Sequence, residues 1–368
     1  MIYLDNGATS FHKPQSVYQA VQKAMKRCAN PGRGGHVPAM EAAKTVLQCR
    51  ERAAELFDCS AEQVVFTQNC TQGLNTAIQS LVKPGQRVAI SGFEHNAVTR
   101  TLHGMGAQMV VAGRKLFDSA DTLQGFEDAL KTGVNAAVIT HCSNVFGYVL
   151  PMDELAGLCK QYKVPLIVDA AQSAGCLPVS LGTWGAAFIA MPGHKGLLGP
   201  QGTGLLLCEQ VPKPLIFGGT GSDSLRQQMP SYLPDAAEAG TLNVPGIAGL
   251  SAGLRYIRSV GQQQILQRER RQMTRCVKGL EKLGIKVFSG KDQTGTLSFV
   301  APTDCEEFAQ GLSHRGIAVR AGLHCAPLAH ESAGTLDTGT VRVSFGHDAN
   351  DAQTDALLYA VKKLAQSV

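Results

Sequence analysis

The chain of 368 residues is 44% hydrophobic and 17% charged, which provides for a large core and, by length, about two domains, and excludes a disordered chain. A formal charge of only +5, with no long block of like charge and no arginine-rich arm interleaved with aromatics, excludes a nucleic-acid footprint. The 11 cysteines are odd in number, scattered and never spaced C-x-x-C, which excludes a regular disulfide framework or zinc ribbon.

The opening MIYLDNGATS has no apolar h-region and no run of about 18 apolar residues follows, so neither signal peptide nor spanning helix is expected. The expected location is cytoplasmic, where thiols stay reduced, with no membrane partner and no nucleic acid. Cys49, Cys59, Cys159 and Cys208 read as small hydrophobes in packed positions. In NPGRGGHVPA, Arg33 and His36 sit among glycines, which suits either a plain loop or one that closes over a ligand.

Between Val64 and Cys208 the apolar runs VVFT, RVAIS, QMVVAG, AAVITHC, PLIVDA, AAFIA and GLLLC alternate with segments of helical period. That rhythm predicts a parallel α/β sheet whose strands are covered on both faces. Ligands on such sheets bind at the carboxyl ends of the strands, so the polar residues following each run are the candidates.

After VVFT a helix is expected to open at Cys70, Thr71 or Gln72; its amides and the Thr71 hydroxyl suit a phosphate, and a Thr cap is the plainer alternative. After the next strand SGFEHNAV brings Glu94, His95 and Asn96, where His95 reads as a loop residue or a site residue. VITHCSNVFG ends with Ser143 and Asn144, and PLIVDAAQSAG with Asp169 and Gln172. A carboxylate after a buried apolar run is costly unless a cation or protonated nitrogen pairs with it, or it caps the next helix. In AFIAMPGHKGLLGPQGTGLLL, Lys195 lies in a Gly- and Pro-rich turn between two strands, partly desolvated and so a Schiff-base candidate. The turn is neither a Walker A loop nor a dinucleotide fingerprint, since a strand follows its glycines. Taken together, Lys195, Asp169, His95, and Thr71 with His194 supply what pyridoxal 5'-phosphate needs: an imine lysine, an acid at the pyridine nitrogen, a face over the ring and a phosphate cup.

VPKPLIFGGTGSDS, from Val211 to Ser224, breaks the rhythm and reads as an ordered excursion. A long polar helix pattern runs from about Gly246 to Leu283, and TLSFV, AVRAG and VRVSF then alternate with two more helices as a smaller α+β domain.

The motifs YLDNGAT, TQGLN, EHNAV, SNVFG, VDAAQ, GHKGLLGPQGTG, EAGTLNVPG, RAGLHCAP and VRVSFGHDAN span almost the whole chain. In this order they resemble the class V aminotransferase group of fold-type I pyridoxal phosphate enzymes, and within it the group II-like cysteine desulfurases and selenocysteine lyases. The resemblance implies a large α/β domain over residues 16–258 with a mostly parallel seven-stranded sheet flanked by helices. A smaller α+β domain would comprise residues 1–15 and 259–368. It implies that Lys195 holds the cofactor, Asp169 pairs with its pyridinium nitrogen, His95 stacks on its ring and Gln172 meets its phenolic oxygen. Thr71, Cys70 and His194 would form the phosphate cup, with Thr241 reaching in from the other subunit of a homodimer. Arg342 would grip the substrate carboxylate with Asn144 beside it, and Arg320 and His324 would lie by the substrate and by the nucleophile, Cys325. Pro192 stands where relatives carry a phosphate-binding Ser, and Leu323 where group II members carry a second histidine.

The implied reaction converts L-cysteine to L-alanine, with Lys195 moving the Cα proton and Cys325 taking the sulfur as a persulfide for a protein sulfur acceptor. Arg320 and His324 would favour the attacking thiolate, and His95 would stack or also move protons. The alternatives are a selenocysteine lyase acting on L-selenocysteine, a class V aminotransferase or epimerase, and a catalytically idle cofactor-binding scaffold.

Overall fold

The computed structural model describes residues 1–32 and 34–366. A short strand, β1 (Ile2–Tyr3), precedes two helices, α1 (Gln15–Arg27) and α2 (Val37–Phe57). Pro38 sits at the start of α2, where its missing N–H costs nothing, and the His36 side chain caps the helix by accepting from the Ala39 amide at 3.4 Å. His36 is therefore an exposed cap, and Arg33, read with it as either a plain loop or one that closes over a ligand, lies outside the described residues.

The alternation from Val64 onward folds as β2 (Val64–Thr67), α3 (Cys70–Leu81), β3 (Arg87–Ser91), α4 (Asn96–Gly104), β4 (Gln108–Ala112) and α5 (Ser119–Lys131). It continues as β5 (Ala136–Thr140), α6 (Met152–Gln161), β6 (Leu166–Asp169), the short α7 (Leu181–Trp184), β7 (Phe188–Pro192) and β8 (Gly204–Cys208). These strands form one seven-stranded sheet in the order β2-β8-β7-β6-β5-β3-β4. Only β8 runs antiparallel to its neighbours β2 and β7. Both faces of the sheet are buried: Ala89, Ala137 and Ile139 pack into one core, while Val88, Ile90, Ala136 and Val138 pack into another. Covered faces explain why these strands read as continuous rather than alternating apolar runs.

The helical pattern after Gly246 is two helices, α8 (Val244–Val260) and α9 (Gln262–Lys282). Gly261 interrupts it with φ +90, a conformation closed to most side chains. The polar character belongs to α9; α8 is largely buried.

The remaining chain gives β9 (Val287–Phe288), β10 (Thr296–Phe299), α10 (Cys305–Ser313), β11 (Ile317–Ala318), β12 (Arg320–Gly322), α11 (Pro327–Ala333), β13 (Thr340–Ser344) and α12 (Asp351–Ala365). An antiparallel sheet in the order β12-β13-β10-β9 packs with α9, α10 and α12 around its own core of Leu297, Phe299, Val341, Val343 and Leu357. β1 pairs with β11, so the amino terminus folds beside this second sheet. Among the described residues no helix is long and apolar enough to cross a membrane.

Candidate active site

Polar residues gather where β5, β6 and β7 end. Asp169, the last residue of β6, is buried; its Oδ1 accepts from the Ala171 amide at 2.8 Å and lies 3.5 Å from Cys70 Sγ. Lys195 follows β7 in a turn where side chains are sterically barred on both sides. A Cβ on Gly193 would lie 2.1 Å from Thr203 Oγ1, and one on Gly196 2.3 Å from the Ala174 carbonyl. Burial holds the Lys195 ammonium below the usual lysine range, with Cys70 and Asp169 partly opposing.

Asn69, not Thr71, caps α3: its side chain takes the Gln72 amide at 2.9 Å and its carbonyl the Gly73 amide. That leaves the Cys70 and Thr71 amides at the helix mouth beside the Thr71 hydroxyl, the arrangement that suits an anion. Opposite, the His194 Nδ1 lies 3.0 Å from the Thr9 hydroxyl, and burial, helped by Lys195 and Lys13, pushes this ring down to about 4. His194 is thus neutral near pH 7, and the Thr9 hydroxyl beside its ring also donates to the His194 carbonyl at 3.1 Å, which ties ring and backbone to the amino-terminal segment. Pro192 lines the same cavity and adds no side-chain donor.

His95 caps α4, its Nδ1 accepting from the Ala97 amide at 3.0 Å, so the proton of the neutral ring is on Nε2. Burial lowers its affinity for a second proton although Asp169 raises it. An inner cavity of about 100 Å³ is lined by Cys70, Thr71, His95, Asn144, Asp169, Gln172, His194 and Lys195. Thr71, His95 and Ala97 are shared with an outer cavity of about 620 Å³ that reaches Cys325.

Cys325 arrives from the second sheet on a strained turn, with φ +52 at His324 and +56 at Cys325. Left-handed backbone costs a non-glycine residue about 1–2 kcal/mol. Both carbonyls are tied to the first sheet: His324 O accepts from Asn144 Nδ2 at 2.7 Å, and Cys325 O from the Asn96 amide at 2.8 Å. Cys325 is the one exposed cysteine among the described residues, whereas burial pushes Cys49, Cys142, Cys159 and Cys276 up to about 12. Arg320 Nη2 lies 3.7 Å from Cys325 Sγ.

The expectation that His324 adds positive charge and meets substrate is corrected. It is 4% exposed, and its Nε2 lies 3.2 Å from the Arg320 carbonyl, which can only accept. Nδ1 must then accept from His330 Nε2 at 3.4 Å, and His330 Nδ1 from the Thr335 hydroxyl at 2.8 Å. Burial and Arg342 push His324 down to about 2, so it is a neutral internal strut.

Arg342 is also more committed than expected. It is 1% exposed; Nη1 donates to the Asn144 carbonyl at 2.9 Å and Nη2 to Asp5 Oδ1 at 2.5 Å, while buried Nε has no partner among the described residues. Gln172 Nε2 donates to the Gly7 carbonyl at 3.0 Å, which leaves its second amide N–H. Thr241 is exposed and absent from the residues lining either cavity. Its segment is anchored by Glu238, which pairs with buried Arg50 and accepts from the Phe66 amide at 2.6 Å.

Three groups escaped sequence reasoning: Asp5, His330 and the acid character of Glu94. Glu94 Oε1 accepts from Ser91 Oγ at 2.5 Å and the Thr140 amide at 2.8 Å, while buried Oε2 has no partner among the described residues. Burial raises this carboxyl to about 8, so it is protonated near neutrality. The apolar run before Glu94 was the available signal for its burial; nothing in sequence links Asp5 to Arg342.

The aminotransferase class-V family model matches residues 2–357. A "Probable cysteine desulfurase" of Pyrococcus abyssi is 31% identical over 389 residues, covering 100% of this chain and 95% of the relative. Another of that name from Methanothermobacter thermautotrophicus is 31% identical and covers 97% and 92%. Among solved structures, the apo cysteine desulfurase from Thermococcus onnurineus NA1 superposes with a TM-score of 0.89 at 28% identity, covering 100% of this chain and 95% of that one. The cysteine desulfurase CsdA from Escherichia coli gives 0.85 at 26%, with 100% and 95% covered.

Proposed function

Because this chain belongs to the class-V aminotransferase family, we propose that it is a pyridoxal 5'-phosphate-dependent cysteine desulfurase, converting L-cysteine to L-alanine and carrying the sulfur as a persulfide on Cys325. The observation that carries this reading is the pair of joined cavities, which connects half-buried Lys195 with an exposed thiol backed by a guanidinium.

The donor set fits the cofactor. Lys195 would anchor it, Asp169 would hold a protonated pyridine nitrogen and His95 would cover the ring. Gln172 would use its free N–H on the phenolic oxygen. The Cys70 and Thr71 amides, the Thr71 hydroxyl and His194 would hold the phosphate, and Thr241 of a second copy would add a hydroxyl. When bound, the cofactor supplies an electron sink for charge developing at the substrate Cα.

The chain's own groups do the rest. Lys195, its ammonium disfavoured by burial, takes and returns the Cα proton as a neutral amine. His95 holds its proton on Nε2, facing the cavity side away from its cap. The substrate carboxylate is met by the unpartnered Nε edge of Arg342, with Asn144 Oδ1 and Nδ2 fixed beside it and Arg320 nearer the mouth. Cys325 attacks as a thiolate opposite Arg320. The Sγ–S bond forms, the substrate Cβ–S bond breaks with its electron pair remaining on carbon, and that carbon takes a proton to become alanine.

Exposure of Cys325 allows a protein sulfur acceptor to reach the persulfide, and the location is cytoplasmic. Phe217 and Leu225, 77% and 99% exposed, and Val37 and Met40 on α2 form apolar surface suited to a homodimer. Alanine release from L-cysteine and L-selenocysteine by wild type and Cys325→Ala tests the reading. Loss of cysteine turnover in the variant is expected. Turnover of selenocysteine alone would make it a selenocysteine lyase, and a keto-acid product without sulfide an aminotransferase.

A further inference from the structure

A second cavity, of about 520 Å³, lies away from these residues in the cleft between α1, α2 and α8. Lys23, Arg27, Lys44, Arg52 and Arg255 line it against one carboxylate, Glu41. Five cations less one acid give this cleft +4 in a chain whose formal total is +5. Among the described residues, none of the five forms an ion pair.

Helix chemistry does not account for them. Arg27 is in the last turn of α1, where a cation is favoured anyway, but Lys23 sits four residues before it as a like-charge neighbour, which weakens a helix. Arg52 is half-buried, and Nη1 is fixed not by a carboxylate but by the buried Ser251, 2.5 Å to its hydroxyl and 3.4 Å to its carbonyl. That anchor orients the planar fork and leaves its other donors unused. The floor is rigid, because α1 and α8 pack so closely that a Cβ on Gly249 would lie 2.7 Å from Val21 Cγ2.

We propose that this cleft binds a multiply charged phosphate group. Three guanidinium forks and two ammoniums converge on a volume within the range of small-ligand sites, and guanidinium suits phosphate through paired N–H donors. Among the described residues no aromatic side chain lines it, so the phosphates and not a base are recognised. Concentrated charge of one sign also raises the local concentration of anions. The proposal is independent of the desulfurase reading, since no residue of either active-site cavity takes part.

The test is calorimetric titration of the cofactor-loaded full chain with inorganic pyrophosphate and with ADP, at low salt and at about 0.5 M sodium chloride. Pyrophosphate is expected to saturate one site per chain, with ADP within about tenfold of it and both weakened by salt. Arg52→Gln is expected to weaken pyrophosphate at least about tenfold. The double variant Lys44→Gln/Arg255→Gln, altered only at exposed positions, should do the same while cysteine turnover without pyrophosphate stays unchanged. Absence of saturable binding to wild type, undiminished binding in the double variant, or ADP binding far tighter than pyrophosphate would each overturn the proposal.

Discussion

The two ends of the active site are built by different means. Around Lys195 the frame is regular: the buried strands β5, β6 and β7 run side by side in register, and their ends and following turns deliver polar residues into the same cavity, with one left-handed residue, Leu198 at φ +59, in the Lys195 turn. Around Cys325 the backbone is irregular, two consecutive left-handed residues whose carbonyls are held by the Asn144 side chain and the Asn96 amide. Sheet register places most of this constellation from regular strand ends. An exposed nucleophile facing it from another sheet needs strain, and strain needs cross-links that prevent its relaxation.

The largest effects should separate the two ends. Lys195→Ala should lower alanine formation from cysteine by about 10³-fold or more, as expected when a positioned acid–base group is lost, and abolish the cofactor's lysine-linked absorbance. Cys325→Ser should lower sulfur release to background yet keep that absorbance; loss of cofactor binding as well would break the distinction between the ends.

Next in size come the buried ion pairs. Glu238→Gln leaves Arg50 buried without its carboxylate and should destabilise the fold by about 3–5 kcal/mol in denaturant titration. Asp5→Asn should cost less, because Asp5 is partly exposed and Arg342 keeps the Asn144 carbonyl. It should also lower KM for cysteine by replacing the Nη2 ion pair with a weaker neutral hydrogen bond; an unchanged KM would show that the Asp5 pair does not compete with substrate.

Glu94 gives a pH test. Its folded-state affinity for a proton is raised to about 8, so its contribution to stability is complete below the ordinary carboxyl value near 4.5 and is lost as pH rises toward 8. Denaturation midpoints should therefore fall less between pH 5 and 8 in Glu94→Gln than in wild type, a difference of a few kcal/mol by linkage at about 1.4 kcal/mol per pH unit. Glu269, also raised to about 8 by burial, adds the same trend to both proteins. The smallest effect is Thr335→Val, which removes the terminal donor of the His330–His324 chain. It should cost about 1 kcal/mol and alter the rate of Cys325 alkylation, with Thr335→Ser restoring it.

Much of the first region was legible in the sequence and less of the second. Asp169 and Lys195 stood out because each follows a buried apolar run, and strand order then brought them together. The antiparallel course of β8 was not legible, since a run such as GLLLC reads alike in either direction. Nor was the break at Gly261, because one glycine is tolerated within a helix pattern. His324 was misread because its charge depends on burial against His330 and Thr335, which local sequence does not report. The Arg342 pair joins positions 337 residues apart. Thr241 illustrates a different limit, since a residue proposed to act in a second copy leaves no trace within one chain.

Brief exposure of the purified, cofactor-loaded protein to L-cysteine, followed by peptide mass spectrometry, addresses the main claim most directly. One added sulfur, carried by the peptide containing Cys325 and removed by reductant, is the predicted result. Alanine formed with no sulfur at Cys325, or sulfur carried instead by one of the other ten cysteines, would contradict it.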